Sequence, residues 1–298
     1  MSAAKTKAAP APAQDELKKR SQWADVWRRL RRNKLAMFGM IIVALLALMA
    51  ILANVLAPYA YDAIDLTNRF KYPSAKHLLG TDNYGRDILS RIIYGGRISL
   101  LVSFMAVAIS SLIGSLIGAV SGYFGGKVDI IIMRLMDMMM AIPGTLLAIC
   151  VSAMLGSGVW QTAVAVAVGG IAGGSRMMRA TALSIRGEEF IEAARASGSR
   201  HLRIILTHVI PNCLAPLIVE CTLRLGGNIM MISGLSFIGL GVQPPTPEWG
   251  NILSSGREYI STYWPLITFP GILIGLAMLA FNLFGDGLRD AMDPRLKQ

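Results

Sequence analysis

Positions 35 to 57 form a run of 23 residues without a charge, nearly all apolar. At about 1.5 Å of helical rise per residue, such a run crosses the ~30 Å hydrocarbon core of a bilayer. It is too long, and starts too far into the chain, for the apolar core of a cleaved leader, despite the Ala/Pro-rich stretch before it. An uncleaved first span is therefore expected over 35–57. Further apolar runs cover 98–124, 130–155, 159–174, 214–233 and 266–285. The third carries Arg134 and Asp137 near its start, the fourth is short and Gly-rich, and the fifth contains Glu220 and Arg224. The pattern predicts an all-α, polytopic membrane protein with six transmembrane helices.

Composition supports lipid as the solvent for much of the chain. Of the 298 residues 54% are hydrophobic and only 16% charged, against roughly 25% charged in soluble domains. Mean hydropathy is +0.52. Aromatic residues make up 7%, beside 30 Gly and 17 Met, which fits a close-packed helical bundle better than a barrel with aromatic girdles. Cys150, Cys213 and Cys221 have no CxxC spacing and read as ordinary thiols; His77, His201 and His208 are too dispersed to suggest a metal site.

The net charge of +11 sets the orientation rather than indicating nucleic acid. With the N-terminus inside, segments 1–34, 125–129, 176–213 and 286–298 hold 20 of the 29 lysines and arginines; 58–97, 156–158 and 234–265 hold seven. Both termini are therefore expected in the cytoplasm. Residues 1–34 divide into an Ala/Pro/Lys-rich tail of disordered composition and an amphipathic segment. There Trp23, Trp27, Leu30 and Lys34 fall at helical spacing among Arg28, Arg29, Arg31 and Arg32. That pattern suits a helix lying on anionic membrane lipid. The organisation expected is 1–34 as tail and interfacial helix, 35–57 as first span, 58–97 as outer loop, 98–285 as a five-helix core including the loop 176–213, and 286–298 as an inner tail.

Gly114, Gly118, Gly122 and Gly126 recur every four residues, a ridge against which another helix backbone can pack; Gly169/Gly173 and Gly170/Gly174 repeat the spacing. Glu220 and Arg224, four apart, share a helical face and can pair, either as a structural ion pair or as the lining of a polar pathway or gate. Arg134 and Asp137 offer a similar pair near the inner end of the third span. There is no GxxxxGK[ST] loop, no HExxH and no GxSxG. Nothing argues for an enzyme, so energised transport would draw on an ion gradient or a partner subunit.

The inner loop 176–213 carries Glu192-Ala193-Ala194, then Gly198, then Pro211-Asn212. A short amphipathic helix is expected over 187–197, a turn at Gly198, and a second helix over 201–210 ahead of Pro211. Ala193 and Ala194 lack bulk, so a foreign surface can approach closely. On the outside, Asp87 and Arg91 sit four apart among Ile88, Ile92 and Ile93, which suits a short helix at the outer membrane surface.

Glu192-Ala193-Ala194-x3-Gly198 followed by Pro211 resembles the EAA loop of binding-protein-dependent ABC importer permeases. The segments 77–91, 235–250 and 282–295 resemble those of the dipeptide/oligopeptide/nickel group, and together the likeness covers the chain from about residue 23 to 298. The resemblance is to the C-type permease subunit, and it implies the type I ABC importer permease fold. It implies as partners a second, B-type permease, two ABC ATPase subunits that carry ATP-Mg, and an extracytoplasmic substrate-binding protein. This chain would bind no cofactor or metal. Glu192, Ala193, Ala194, Gly198 and Pro211 would form the ATPase-coupling loop, and Arg86, Asp87 and Trp249 are candidates for contact with the binding protein. The implied location is the cytoplasmic membrane. Di- and oligopeptides are the expected cargo, with glutathione or nickel complexes as family alternatives. A gradient-driven transporter acting alone is the alternative from a different class.

Overall fold

The structure is a computed structural model that describes residues 22–293. Its regular elements are helical, apart from one isolated bridge between Thr81 and Asp87. In chain order they are α1 (Gln22–Arg32), α2 (Lys34–Ile51), α3 (Ala53–Leu56), α4 (Ile88–Phe124), α5 (Gly126–Met140), α6 (Gly144–Leu155), α7 (Val159–Ile185), α8 (Glu189–Ala196), α9 (His201–Ile204), α10 (Ile210–Asn212), α11 (Leu214–Phe237), α12 (Trp249–Ser255) and α13 (Pro265–Met292). A π-helical turn, Ile205–Val209, joins α9 to α10. The bundle has an α8 end, where α4 and α7 finish and α11 begins, and an α12 end, where α4 and α13 begin.

Among the described residues four helices are long and apolar enough to cross a bilayer: α2, α4, α11 and α13. The pair α5–α6 makes a fifth if taken as one span, but the two are bent by 84°. The straight span expected over 130–155 is corrected accordingly. Pro143 supplies no amide hydrogen and disfavours helical backbone at Ile142, so the helix stops at Met140 and restarts at Gly144. The first span is likewise interrupted, at Leu52, between α2 and α3. The fourth expected span becomes α7, which continues past residue 174 to Ile185; it is long enough to cross, at about 40 Å, but falls below the apolarity of the others.

α4 is the largest departure from the sequence reading. It starts at Ile88, so the last ten residues of the expected outer loop 58–97 are helical. Asp87 caps it, its carboxylate accepting from the Ser90 amide at 2.8 Å, and Gly125 at φ 64° ends it. At 37 residues it runs about 55 Å, well beyond the hydrocarbon thickness. Asp87, Arg91, Ile88, Ile92 and Ile93 are all buried in its first turns rather than lying along a membrane surface.

α4 and α7 run parallel in close contact. A Cβ at Gly114 would lie 3.0 Å from the Ile171 carbonyl oxygen, one at Gly118 2.3 Å from that of Ser175, and one at Gly122 2.9 Å from that of Arg179. Gly126 does not continue the ridge: it opens α5, with nothing within 4 Å of its Cβ position. Val102 and Ala106 of α4 extend the contact through Ala163, Val166 and Ala167 of α7, with Ala148, Ile232 and Leu235 completing that core. A second core joins α2, α11 and α13 through Ile42, Leu46, Ile229, Ala277, Ala280 and Phe281.

α1 differs from expectation in which face is buried. Leu30 packs against Ala36 and Ala291, with Val26 beside it, while Trp27 is exposed and Lys34 already belongs to α2. The helix is docked on α13 rather than only resting on lipid. The tail ahead of it lies outside the described residues.

Candidate functional site

α8 has acids in its first turn (Glu189, Glu192) and Arg195 in its last, matching the helix dipole. Ile191 is its anchor, fully buried in a core made by Ala119 and Tyr123 of α4, Met178 and Ala182 of α7, and Ile204, Ile205, Val209 and Cys213 of the following turns. Burial pushes the Cys213 thiol up to about 11, which keeps it protonated and inert. The opposite face of α8 is open: Glu192 and Ala193 are exposed and Ala194 is half-buried.

Gly198 ends the helix at φ +76°, with the Ser199 amide donating to the Ala194 carbonyl at 3.2 Å and the Gly198 amide to Arg195 at 3.0 Å. This is the paired C-terminal cap that a left-handed glycine permits. The result is a short, blunt, small-residue helix standing out from the bundle, firmly seated beneath. Pro211 lies in α10, between the π turn and the start of α11.

A contact invisible to sequence spacing ties α8 to α4. The Tyr123 hydroxyl meets His201 Nδ1 at 2.8 Å and accepts from Arg195 Nε at 3.3 Å, while the Arg195 guanidinium lies over the Tyr123 ring at 4.8 Å. Tyr123 and Arg195 are 72 residues apart, so no local pattern announces the pair. Tyr123→Phe keeps the ring and removes both hydrogen bonds, a loss of roughly 1–2 kcal/mol at the attachment. Amide hydrogen exchange over 188–201 should rise several-fold in this variant, with α11 unchanged.

Charges brace the same end. Asp129 of α5 accepts from Arg179 of α7 through both oxygens at 2.5 Å and from the Ser121 hydroxyl of α4 at 2.5 Å. Asp137 pairs with Arg176 of α7, not with Arg134 as the sequence spacing suggested.

Glu220 and Arg224 do pair, Arg224 Nε donating to Glu220 Oε1 at 2.8 Å. Arg224 Nη1 also donates to the Gly170 carbonyl at 2.6 Å, and its guanidinium fills the space beside Gly170, Gly173 and Gly174. Gly173 thus makes room for a charge, while Gly170 and Gly174 also face Ser110 of α4 and Gly169 faces the Gly144 backbone of α6, the helix packing that the spacing predicts. Glu220 is the more open partner, its side chain 33% exposed, and it faces a cleft of about 920 Å³ between α1, α11 and α13 at the α8 end, with Met177, Pro211 and Pro216 also in the wall.

At the α12 end the loop before α4 is held by Asp82. It accepts from Arg86 Nε at 2.7 Å and from the amides of Tyr84 and Arg86 at 2.8 and 2.9 Å, with Arg91 3.6 Å away. Asp87 meets His77 Nδ1 at 3.0 Å. Tyr263, whose hydroxyl donates to the Lys71 carbonyl at 2.5 Å, is pushed by burial to about 12. Trp249 is fully buried and donates from Nε1 to the Ile92 carbonyl at 3.0 Å. Glu248, also fully buried, accepts from Ser99 and from the Asn251 amide at 2.9 and 3.0 Å. Arg86, Asp87 and Trp249, candidates for contact with the binding protein, are thus buried and shape this end from within. Among the described residues no group of three or more His, Cys, Asp or Glu converges on a point where a metal ion could sit.

Comparison with known proteins adds independent findings. Residues 110–298 match the model of the family described as binding-protein-dependent transport system inner membrane component. Residues 21–73 match the N-terminal TM domain of oligopeptide transport permease C. The chain is 43% identical over 286 residues to the dipeptide transport system permease protein DppC of Alkalihalophilus pseudofirmus, covering 96% of this chain and 94% of that protein. It is 42% identical to the di/tripeptide transport system permease protein DppC of Pseudomonas aeruginosa, covering 96% and 97%. It is also 42% identical to the glutathione transport system permease protein GsiD of Escherichia coli O157:H7, covering 93% and 92%. Among solved structures, a chain of the MetNI methionine ABC transporter in an inward-facing conformation superposes with a TM-score of 0.56 at 19% identity, covering 68% of this chain and 97% of that one. That likeness shows the fold, the type I ABC importer permease fold.

Proposed function

Since the chain belongs to the binding-protein-dependent transport system inner membrane components, we propose that it forms one half of a translocation path for di- and oligopeptides and is driven by partner ATPases docked on α8. The observation that carries the reading is α8 itself: a blunt helix with Glu192 and Ala193 exposed and Ile191 sunk between the ends of α4 and α7. A partner moving α8 moves Ile191 and Tyr123, and through them the two glycine-locked helices α4 and α7, as one body.

The partners are a second permease, two ATPases carrying ATP-Mg, and an extracytoplasmic binding protein that delivers the cargo. The excess of basic residues at the α8 end supports a cytoplasmic placement for that end and for both termini. The dipeptide and di/tripeptide permeases among its relatives support peptide cargo, and a glutathione permease is as similar as the second of them. Two conformations of the path must bind the ATPases and the cargo differently, since coupling has no other source.

Glu220 and Arg224 take separate roles in this reading. Arg224 is the internal brace, held by a backbone carbonyl as well as by its partner; Glu220 offers its free oxygen to the cleft. Glu220→Gln should leave the amount of inserted protein unchanged and raise the KM for peptide several-fold. Arg224→Gln should lower the amount of folded protein. Quantified uptake and membrane abundance separate the two.

The reading is tested by uptake of a labelled dipeptide in cells deleted for the chain and complemented with it. Uptake should stop on ATP depletion and survive collapse of the proton and sodium gradients. The reverse pattern would replace it with a gradient-driven transporter.

A further inference from the structure

Where α1 meets α2, the chain forms a second, open cavity of about 560 Å³, lined by Arg28, Arg29, Arg32, Asn33, Gly287 and Asp290. We propose that this cavity binds the phosphate of an anionic phospholipid, one headgroup held at a defined place on the permease. The proposal rests on α2 lying in the bilayer and not on what the protein transports.

Charge and shape fit a phosphate ester. Three arginines, Arg28, Arg29 and Arg32, line the cavity against one lining carboxylate, Asp290. Arg28 also pairs with Asp25 at 2.5 Å, and Arg29 donates to the Asp293 carbonyl at 3.3 Å. Arg32 has no bonded acid among the described residues, so its fork is available for two-point contact with phosphate oxygens. The walls are fixed rather than draped. Leu30 is buried against Ala36 and Ala291, and Gly287 lets the Ala36 side chain come to where a Cβ would be, 2.0 Å away. Without that approach α1 could not close over the end of α13.

Depth identifies the source of the phosphate. Asn33 caps α2, accepting from the Ala36 amide at 3.2 Å, and lines the cavity as well. Directly beyond it α2 turns Leu35, Phe38, Ile41 and Leu45 outward, each more than half exposed. A molecule with its phosphate among the arginines can therefore lay an acyl chain along that stripe. Inorganic phosphate or a nucleotide offers the same oxygens but nothing for the stripe. The arginines sit at the height where the hydrocarbon ends and headgroups begin.

Native mass spectrometry of the full chain in mild detergent tests this, with palmitoyl-oleoyl phosphatidylglycerol, the phosphatidylcholine with the same chains, and inorganic phosphate as probes. Phosphatidylglycerol should bind about tenfold more tightly than phosphatidylcholine, and R28Q/R32Q should remove most of that preference. R31Q/K34Q, which removes the same charge outside the cavity lining, should keep it. D290N should strengthen binding, a gain that misfolding cannot mimic. Equal losses in the two double variants would overturn the proposal in favour of diffuse attraction. Displacement of the lipid by millimolar inorganic phosphate would overturn it in favour of a soluble anion, and unchanged binding in D290N would exclude the cavity.

Discussion

Gly198→Arg should abolish peptide uptake while the protein still inserts and keeps its helical bundle. Gly198 stands at φ +76° with nothing within 4 Å of its Cβ position, so a side chain there meets no wall of its own molecule. The intramolecular cost is the left-handed backbone alone, about 1–2 kcal/mol, small beside the 5–15 kcal/mol that holds a typical fold. The functional cost is larger. The arginine projects from the end of α8 next to Ala193 and Ala194, the surface proposed to enter the ATPase, and would hold a close-packed partner away. Gly198→Ala carries the same backbone strain without the bulk and should retain most uptake. Uptake of a labelled dipeptide, normalised to permease in the membrane, is the measurement. Wild-type uptake in the arginine variant would show that no partner packs against this turn.

Gly118→Val should remove the folded protein altogether. A Cβ at this position lies 2.3 Å from the Ser175 carbonyl oxygen and 2.9 Å from the Arg179 amide nitrogen. Both are backbone atoms of α7, so no side-chain rotation relieves the contact, and the helices must separate along the interface that carries most of the core. Overpacking of this kind costs typically 1–3 kcal/mol even where side chains can give way, and here they cannot. Loss of the protein from membranes, and a lowered melting temperature for whatever remains in detergent, are expected. Gly144→Ala is the matched control, since nothing lies within 4 Å of its Cβ position. A valine variant as abundant and as heat-resistant as wild type would contradict the α4–α7 packing.

The parts legible from sequence are those set by local chemistry. The apolar runs at 35–57, 214–233 and 266–285 reappear as α2–α3, α11 and α13, because burying a continuous apolar stretch in lipid needs no distant partner. The helix over 187–197 and the turn at Gly198 were readable for the same reason: small residues, an amphipathic period and a glycine at the stop. The bend between α5 and α6 at Pro143 was missed, because apolarity on both sides reads as one continuous span.

Other features depend on residues far apart in the chain. Arg91 and Arg97 made the start of α4 look like a separate short helix at the membrane surface, whereas it runs unbroken into the span and Arg91 is buried beside Asp82. Asp137 had an acceptable local partner in Arg134 and took Arg176 instead, because α7 runs past it. Gly170 and Gly174 pack against α4 as their repeat predicts, and with Gly173 they also make room for the guanidinium of Arg224, which the repeat does not announce. Tyr123, which ties α8 to α4, carries no sequence signal at all. Arg86, Asp87 and Trp249 looked like surface recognition residues because charged and aromatic side chains in loops usually are; a dense hydrogen-bond net buries them.

The central claim is that α8 is where partner ATPases drive this permease. The most direct measurement is the ATP hydrolysis and subunit content of the complex purified in mild detergent through a tag on this chain, wild type beside Gly198→Arg. A second permease and two ATPases should accompany the wild type and hydrolyse ATP, and the variant should lose the ATPases or their response to loaded binding protein. A chain that purifies alone, or a variant complex indistinguishable from wild type in composition and hydrolysis, would contradict the account.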